Sequence, residues 1–571
     1  MCAFVVLMVC FGAMGLRLIM LQTVEAPLYA RLAADQRERV VHFGARRGTI
    51  FDRGGEPLAI SVDLKTVYAD PLLVEDPHET ARRLSPALGQ RVSLLERKLE
   101  GTRPGSRFEY LARQVDPKVS DRVKALGLAG IDTRREPKRF YPNGRLASQV
   151  LGFTDVDGVG TAGIEMAFDG ILKGTPGRMT LEQDPSGRPL PQAEFDYEPA
   201  SAGSDLFLTI DKELQYFTEH TLARAAETYQ AESATAIVMK PETGEVLAMA
   251  NVPDFDLDRL SEARPDEMRN RAITDMYEPG SAYKIVTVAA ALQEKAVSPK
   301  TKLMVPDELA YADQVFHDSH AHEPETMSVT EIIEQSSNVG TIKIGLRLGE
   351  RGLDQYARAF GFGAPTGSGF PGEARGIVLP RSEWSGSTIA TVPLGQGIAV
   401  TPLQMAAAFS TIANDGVWVE PRLLYGSAGS DGRVVAAARP ERRRVVARRT
   451  ARQVTRMLAG VVERGTGLLA RVPGYRVAGK TGTAQKPLPE GGYGNSYVGS
   501  FGGYAPAGDP KVTVLVTFDD PSPIWGGSTA APTFKSIMEF ALRQLGVAPS
   551  GNAERAAAEL EADPGVLPAH D

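Results

Sequence analysis

An apolar run at the start of the chain is the feature that most constrains its fold. Residues 1–21 carry one charged side chain, Arg17, and about 20 apolar residues suffice to cross the hydrocarbon core of a bilayer. A segment in lipid must satisfy its own backbone hydrogen bonds, so the run predicts a single helix. No basic residue precedes the run and no clear small-x-small cleavage site follows it, which favours an uncleaved membrane anchor over a signal peptide.

Basic residues lie after the apolar run: Arg31, Arg37, Arg39, Arg46 and Arg47. Basic residues normally stay on the cytoplasmic side, so this charge bias alone opposes an external position for the rest of the chain. One explanation is a basic cytoplasmic stretch upstream of Met1, with Arg17 reaching outward from the end of the helix.

The composition of the remaining chain narrows the class of protein. A chain of 571 residues is too long for one ordinary core, so two or more domains are expected. The net charge of −7 without a long basic run argues against a nucleic-acid partner. Both cysteines, Cys2 and Cys10, lie in the apolar run, which excludes a disulfide framework and a cysteine zinc site elsewhere.

Turn-forming residues suggest where the domains divide. The region after the anchor begins as a polar stalk, has a hairpin signal at Gly54-Gly55 and contains helical patterns at 75–100 and 117–127. A stretch rich in proline and glycine, 184–205, predicts a boundary, and the end of the chain lacks bulky apolar residues and is predicted to be disordered. The predicted divisions are an anchor, a stalk with a pedestal domain, a second large domain and a tail: 1–21, 22–200, 201–546 and 547–571.

The second domain mixes strands and helices without regular alternation. Two strands of high β propensity flank Pro241-Glu-Thr-Gly244, a pattern typical of a hairpin. The mixture predicts an α+β domain with an antiparallel sheet. Further strands are predicted at 475–480, 497–505 and 511–518, and helices at 212–229, 281–295, 329–337, 402–414 and 530–545.

The first candidate motif is Ser281-Ala-Tyr-Lys284. The preceding proline and glycine place Ser281 in the first turn of a helix, and Lys284 follows one turn later on the same face. The rest of that helix is apolar nearly all round and should be buried. Burial lowers the pKa of a lysine, so Lys284 could accept the serine proton. Alone, such a pair is more often a helix cap beside a surface lysine.

The second motif, Ser336-Ser-Asn338, follows a short helix that opens with the capping box Ser328-Val-Thr-Glu331. A turn there would point Ser336 and Asn338 to the same side. A hydroxyl can relay a proton and an amide can hold a substrate amide or carbonyl. Alone, this motif is more often a polar turn between helices.

The third motif, Lys480-Thr-Gly-Thr483, follows an apolar strand. Gly482 would let a substrate lie against the strand edge, while Lys480 and the two threonines, Thr481 and Thr483, suit a carboxylate. The residues from Gly474 onward also satisfy the phosphate-loop pattern G-x-x-x-x-G-K-[ST], which needs a helix directly afterwards. The prolines and glycines that follow prevent a helix, so the nucleotide-binding interpretation is rejected.

The histidine-rich segment His317-Asp-Ser-His320-Ala-His322 could ligate a metal. Its spacing fits no standard site, so a structural or solvated role is favoured, and no metal or cofactor is predicted.

Together the motifs resemble those of class B penicillin-binding proteins, the peptidoglycan D,D-transpeptidases. The resemblance covers residues 1–545, and Ala282-Tyr283 departs from the Thr-Phe or Thr-Val usual there. Similarity is highest to the cell-division, FtsI-type members, although elongation members are related. The segments that carry it are Arg47-Gly-Thr-Ile-Phe-Asp-Arg53, Gly152-Phe-Thr-Asp-Val-Asp-Gly158, Gly163-Ile-Glu165, Glu278-Pro-Gly-Ser-Ala-Tyr-Lys284, Ser336-Ser-Asn-Val-Gly340, Gly395-Gln-Gly-Ile-Ala-Val-Thr-Pro402 and Lys480-Thr-Gly-Thr-Ala-Gln485.

The resemblance implies roles for matched residues. Ser281 is the expected nucleophile on the D-Ala-D-Ala carbonyl of a stem peptide, and Lys284 the general base. Ser336 and Lys480 are implied to relay a proton to the leaving group, and the backbone N–H groups of Ser281 and Thr483 to form the oxyanion hole. The implied substrate-binding residues are Asn338, Thr481, Gly482 and Thr483.

The resemblance also implies an architecture and partners. The fold expected is a penicillin-binding domain, with a five-stranded antiparallel sheet between helices, behind an anchor and an elongated mixed α/β pedestal. A single-pass protein of the cytoplasmic membrane with an extracytoplasmic catalytic domain is expected, bound by β-lactams and partnered by an FtsW-type glycosyltransferase during septal synthesis. The alternatives are an elongation-type transpeptidase, a D,D-carboxypeptidase or β-lactamase, and a β-lactam-binding sensor.

Overall fold

The chain forms two compact units in a computed structural model. The described residues are 1–29, 38–103, 106–182, 196–429, 431–488 and 491–549. The first unit comprises residues 1–48, 61–139 and 170–204, and the second comprises residues 49–60, 140–169 and 205–571. Most of the predicted tail, much of the predicted boundary at 184–205 and part of the predicted stalk lie outside the described residues.

The apolar run forms one helix, Cys2–Thr23, of 22 residues. Within the described residues, Ala3–Thr23 is the one helix with the length and composition to cross a bilayer, and its mean hydropathy is 2.4. At 1.5 Å per residue it is about 33 Å long, enough for the hydrocarbon core. Arg17 Nη1 donates to Glu25 Oε1 at 2.7 Å. The one cation of the helix is therefore paired with a carboxylate that lies just beyond the helix end. The predicted helix is confirmed.

The first unit contains two groups of antiparallel strands. One sheet has three strands, which are neighbours in chain order: Glu38–Phe43, Gly177–Glu182 and Asp196–Glu198. In the other, residues 65–69 of the strand Pro57–Ala69 pair with Glu109–Val115. The strand Ile131–Phe140 also pairs with Pro57–Ala69.

Three helices bury the apolar core of the first unit: Pro77–Leu88, Val92–Leu99 and Pro117–Ala125. The core includes Leu84, Leu95 and Val123, packed with the strand residues Val67 and Leu111. The single helix predicted over 75–100 is wrong. Gly89 ends the first helix in the left-handed conformation, φ +65°, which glycine adopts without strain.

The core of the second unit is a five-stranded antiparallel sheet in the order β2-β1-β5-β4-β3. Its strands are β1 Ser233–Met239, β2 Val246–Val252, β3 Ala478–Pro487, β4 Tyr493–Ala505 and β5 Val512–Asp519. The predicted hairpin of β1 and β2 is confirmed. The strand predicted at 475–480 begins and ends later, because Lys480–Thr483 themselves pair with β4.

Helices cover both faces of this sheet, as predicted. The ring of Phe501 in β4 lies 4.6 Å from that of Phe534, whereas a Cβ at the next residue, Gly502, would lie 2.2 Å from the ring of Phe409. Successive strand residues point to opposite faces, so Phe534 and Phe409 belong to helices on opposite sides. The main helices are α1 Lys212–Thr228, α2 Lys284–Gln293, α3 Asn338–Ala359, α4 Pro402–Ala413, α5 Arg448–Arg464 and α6 Ala530–Gln544.

Shorter elements complete the described structure. The other strands are Ile50–Phe51, Asp205–Leu208, Lys302–Val305, Glu308–Tyr311, Gln314–His317, Glu325–Ser328, Val417–Val419, Leu424–Ala428, Val434–Ala436 and Arg442–Arg444. The other α-helices are Ser148–Leu151, Gly163–Ala167, Asp169–Leu172, Arg271–Thr274, Val329–Glu334 and Thr388–Thr391. The 3₁₀ turns are Pro71–Leu73, Leu257–Glu262, Gly280–Tyr283, Arg381–Glu383, Val392–Leu394 and Leu468–Ala470.

Candidate active site

Ser281 lies in a 3₁₀ turn, Gly280–Tyr283, that leads directly into α2. The serine is half-buried, whereas Lys284 is 0% exposed. The burial follows from the sequence of α2, whose residues from Ile285 to Leu292 are all buried. The predicted arrangement, a serine at the mouth of a buried helix with a lysine one turn along, is present.

Close backbone packing brings the third motif against this turn. Gly280 has φ +51°, and a Cβ there would lie 3.1 Å from both Ala484 Cβ and Thr483 O. A Cβ at Gly482 would lie 3.0 Å from Pro279 O and 2.4 Å from Ser500 Oγ. These distances are too short for ordinary side chains, so glycine allows strand β3 to lie directly beside the Ser281 turn.

The second motif meets Lys284. Lys284 Nζ donates to Ser336 O at 2.6 Å and to Asn338 Oδ1 at 2.8 Å. Ser336 has φ +63°, a left-handed conformation that non-glycine residues rarely adopt. It ends the preceding helix at Glu334, so the helix predicted over 329–337 is shorter than expected. Ser337 then caps α3 by accepting from Gly340 N.

The hydroxyl of Ser336 links the two lysines. Lys480 Nζ donates to Ser336 Oγ at 2.8 Å, and Lys284 Nζ lies 3.4 Å from the same oxygen. Lys480 is 0% exposed and also lies 3.3 Å from Thr481 Oγ1. All three motifs therefore converge on one polar centre.

Burial changes the protonation of both lysines. It lowers the pKa of Lys284 to about 7, against an opposing effect of the Asp318 carboxylate. Burial, followed by the positive charge of Lys284, lowers the pKa of Lys480 well below its ordinary value. Near neutral pH this centre can therefore hold a neutral amine, which can take a proton from a hydroxyl.

The two threonines of the third motif have different settings. The hydroxyl of Thr481 lies 2.8 Å from that of Thr466, and Thr481 is 8% exposed. Thr483 is half-buried, and its hydroxyl accepts from Gly526 N at 3.2 Å. Thr483 thus lies partly exposed beside the Ser281 turn.

The histidine-rich segment contacts the second motif through Asp318. Among the described residues, no group of three or more His, Cys, Asp or Glu side chains is placed to hold a metal ion. His322 Nε2 lies 3.2 Å from Asp318 Oδ2, and Asp318 instead accepts hydrogen bonds from the second motif. No short-range sequence pattern signals this contact, since 20 residues separate Asp318 from Asn338.

A second contact missed by sequence reasoning involves Glu278, three residues before Ser281. Its Oε1 accepts from Gly397 N at 2.9 Å, and its Oε2 accepts from Tyr493 Oη at 3.0 Å. Burial raises the pKa of Glu278, while those donors oppose the effect. The carboxylate therefore joins three chain segments around the nucleophile turn.

Comparison with known proteins places the chain in a family. Residues 234–539 match the penicillin binding protein transpeptidase domain, and residues 42–208 match the penicillin-binding protein dimerisation domain. The chain is 34% identical to the peptidoglycan D,D-transpeptidase FtsI of Escherichia coli strain K12, over 93% of this chain and 89% of FtsI. It is 35% identical to the probable peptidoglycan D,D-transpeptidase PenA of Neisseria gonorrhoeae, over 96% of this chain and 92% of PenA.

Solved structures give the same result. Penicillin binding protein 3 from Mycobacterium tuberculosis, complexed with aztreonam, has a TM-score of 0.71 and 32% identity, covering 90% of this chain and 99% of the other. Penicillin Binding Protein 2X from Streptococcus thermophilus has a TM-score of 0.74 and 26% identity, covering 92% and 82%. The chain belongs to the class B penicillin-binding proteins, the family of serine-type peptidoglycan D,D-transpeptidases.

Proposed function

We propose that this protein cross-links peptidoglycan stem peptides during septal synthesis, through an acyl ester on Ser281. The observation that carries the proposal is the convergence of Lys284 and Lys480 on the Ser336 hydroxyl, beside the Ser281 turn. A serine nucleophile with a neutral amine nearby is the arrangement that acyl transfer requires.

In the first half-reaction, Ser281 Oγ attacks the carbonyl carbon of the penultimate D-Ala, and the neutral amine of Lys284 takes the hydroxyl proton. The backbone N–H groups of Ser281 and Thr483 hold the oxyanion, an interaction whose loss typically lowers the rate by about 10² to 10³. The C–N bond then breaks. Lys480 and the Ser336 hydroxyl relay the proton from Lys284 to the departing D-Ala amine, and the ester on Ser281 remains.

In the second half-reaction, an amine of a neighbouring stem peptide attacks the ester carbonyl. That amine loses one proton to the lysine pair, the C–O bond to Ser281 breaks, and the same pair returns a proton to Ser281 Oγ. Asn338 holds the substrate amide in both half-reactions. Thr481 and Thr483, beside Gly482, bind the terminal carboxylate of the donor in the first half-reaction, until D-Ala leaves. β-Lactams acylate the same serine.

Labelling with a fluorescent penicillin tests the nucleophile. We expect the full chain, purified in detergent micelles, to be labelled covalently, the Ser281→Ala variant to remain unlabelled, and the control Ser298→Ala, at an exposed serine, to be labelled as the wild type is. An unlabelled wild type would overturn every acyl-serine mechanism, and a labelled Ser281→Ala variant would move the nucleophile elsewhere.

Product analysis separates transfer from hydrolysis. With a D-Ala-D-Ala donor peptide and an acceptor amine, we expect one D-Ala released for each amide formed. Release of D-Ala with the acid as the main product would favour a D,D-carboxypeptidase, and rapid release of hydrolysed penicillin a β-lactamase. Labelling without turnover of either peptide would favour a β-lactam sensor.

The septal role rests on the 34% identity to FtsI and needs a cellular test. Depletion of the protein should produce filaments with a blocked septum, whereas spherical cells would favour an elongation role. The helix Cys2–Thr23 is proposed to anchor the protein in the cytoplasmic membrane, with the catalytic domain outside, and to contact an FtsW-type glycosyltransferase. Protease treatment of intact spheroplasts, followed by affinity capture of the partner, checks both statements.

The division of the chain is part of the same proposal. We assign an anchor, a stalk and pedestal, a transpeptidase domain and a tail to residues 1–21, 22–200, 201–546 and 547–571. Limited proteolysis should release a stable, penicillin-labelled fragment beginning near residue 201; cleavage well inside 201–546 would contradict the division.

A further inference from the structure

The carboxylate of Asp318 lies directly behind the second motif. Its side chain is 7% exposed. Oδ1 accepts hydrogen bonds from the backbone N–H groups of Asn338 and Val339, the latter at 3.0 Å, and Oδ2 accepts from Ser337 Oγ at 2.7 Å. These donors are the first groups of α3, where a negative charge is favoured by the helix dipole. The contacts fix the backbone that carries the motif.

The same segment orients the side chain of Asn338. Asn338 Nδ2 donates to His317 O at 2.9 Å, which leaves its Oδ1 to accept from Lys284 Nζ at 2.8 Å. Asp318 and His317 thus hold, from two sides, the group that contacts the proposed general base. Loss of Asp318 would release the backbone of Asn338 and leave buried N–H groups without an acceptor.

Asp318 also acts on Lys284 through its charge. The negative carboxylate raises the pKa of Lys284, in opposition to burial. Among the described residues, the Asp318 carboxylate interacts with two titratable groups, Lys284 and His322, and Glu325 lies 3.8 Å from His322. The Glu323 carbonyl, followed by the Asp318 carboxylate, raises the pKa of His322. At acidic pH, His322 is therefore protonated, and its positive charge partly offsets the negative charge of Asp318.

We propose that Asp318 is a positioning residue of acyl transfer, which fixes the Ser336–Asn338 turn against Lys284 and controls how readily Lys284 gives up its proton. This inference rests on the proposed function, because it assumes that neutral Lys284 activates Ser281. Asp318 itself touches no substrate in this scheme and acts through Asn338 and Lys284.

The test is the pH profile of penicillin acylation, measured with the full chain in detergent micelles from about pH 5 to 9. The rate should rise with pH as Lys284 loses its proton. In Asp318→Asn, loss of the negative charge lowers the pKa of Lys284, so the acidic limb should move down by about 0.5 to 1 pH unit. The plateau rate should also fall, by about tenfold, because the turn is held less firmly. Asp318→Glu, which keeps the charge, should restore the wild-type midpoint.

Two variants of neighbouring groups sharpen the test. Glu325→Gln removes an exposed carboxylate that faces His322 but not the second motif, so its midpoint should match the wild type. His322→Gln removes a cation that offsets Asp318, so its acidic limb should move up, opposite to Asp318→Asn. A purely structural role for Asp318 would lower rates without opposite shifts of the midpoint.

The outcomes separate this inference from the proposed function. If the wild type is not labelled at Ser281, the proposed function fails. If labelling occurs but Asp318→Asn keeps the wild-type midpoint, the positioning role of Asp318 is wrong. Should Asp318→Asn fail to fold, His322→Gln decides alone: an upward shift supports the role, and an unchanged midpoint overturns it.

Discussion

Two clusters of ionisable side chains, one partly buried in the first compact unit and one buried in the second, have different hydrogen-bond partners. In the first unit, Arg113 Nε donates to Glu136 Oε1 at 2.9 Å, the Thr66 hydroxyl donates to the other carboxylate oxygen, and the guanidinium lies 4.7 Å from the centroid of the Tyr110 ring. In the second unit, Lys284 and Lys480 contact hydroxyl, amide and carbonyl groups. No ion pair within 4 Å joins either lysine to a carboxylate of the described chain.

The difference teaches what decides the state of a buried cation. Arg113, whose side chain is 21% exposed, keeps its charge with or without a partner. Its carboxylate partner offsets the lost solvation, so that cluster is stable as an ion pair. Lys284 and Lys480 have neutral acceptors and each other, so burial lowers their pKa values instead. A cation in contact with a carboxylate serves the fold, whereas a buried lysine in contact with neutral acceptors is available for proton transfer.

The largest expected effect comes from Lys284→Met. The variant keeps the volume of the side chain but removes the proton acceptor, so the rate of penicillin acylation should fall by about 10² to 10⁴. Its thermal unfolding should occur no lower than that of the wild type, because an apolar side chain now fills a buried site. Acylation at more than a tenth of the wild-type rate would contradict the role of Lys284.

The matching change in the first unit should have the reverse outcome. Arg113→Met leaves Glu136 buried without its partner and should lower the free energy of unfolding by about 3 kcal/mol. Acylation of the folded fraction should persist, because the candidate catalytic residues all lie in the second unit. The double variant Arg113→Met/Glu136→Gln should recover part of the loss, measured by thermal unfolding; no recovery would show that lost packing, rather than unpaired charge, is responsible.

The sequence predicted most of the second unit because its signals are local. Turn residues between β1 and β2, and the cap Thr401 with Pro402 before α4, act within a few residues of the elements they define, and the structure has both. Apolar residues all round α2 likewise predicted its burial. Tertiary contacts decided what local signals missed, since β3 extends to Pro487 through pairing with β4.

The candidate site was predicted residue by residue, but not its geometry. The left-handed conformation of Ser336 has no local cause such as glycine, and Lys480 reaches its hydroxyl across 144 positions of the chain. Asp318 looked like part of a metal-binding segment, because histidine and aspartate are common ligands. Its contacts with α3 depend on where the hairpin of Glu308–Tyr311 and Gln314–His317 packs. Periodicity and spacing do not encode that position.

The pH dependence of stability offers an effect of intermediate size. Since the folded pKa of Lys284, about 7, lies below the value of about 10.4 in an unfolded chain, the unfolded state binds more protons between these values. Stability should therefore rise with pH across this window. Relative to Lys284→Met, the wild type should gain about 2 kcal/mol between about pH 7 and 9. If the free energies of unfolding of the two proteins change equally with pH over this range, Lys284 is not buried as a neutral amine.

The smallest effect is expected at Glu278. Its carboxylate is partly buried, like the Arg113–Glu136 pair, but its hydrogen-bond partners are neutral, like those of the two lysines. Glutamine still accepts from Gly397 N and Tyr493 Oη, so Glu278→Gln should change the free energy of unfolding by less than about 1 kcal/mol at neutral pH. Burial raises the pKa of Glu278, so the native contribution of its protonated form is lost as pH rises. The variant should therefore gain slightly on the wild type as pH rises above about 4.3, the pKa of an unfolded glutamate. Tyr493→Phe removes one donor and should lower acylation less than tenfold. A much larger loss of acylation rate in Glu278→Gln would mean that the negative charge of Glu278, and not its hydrogen bonds, acts on the Ser281 turn.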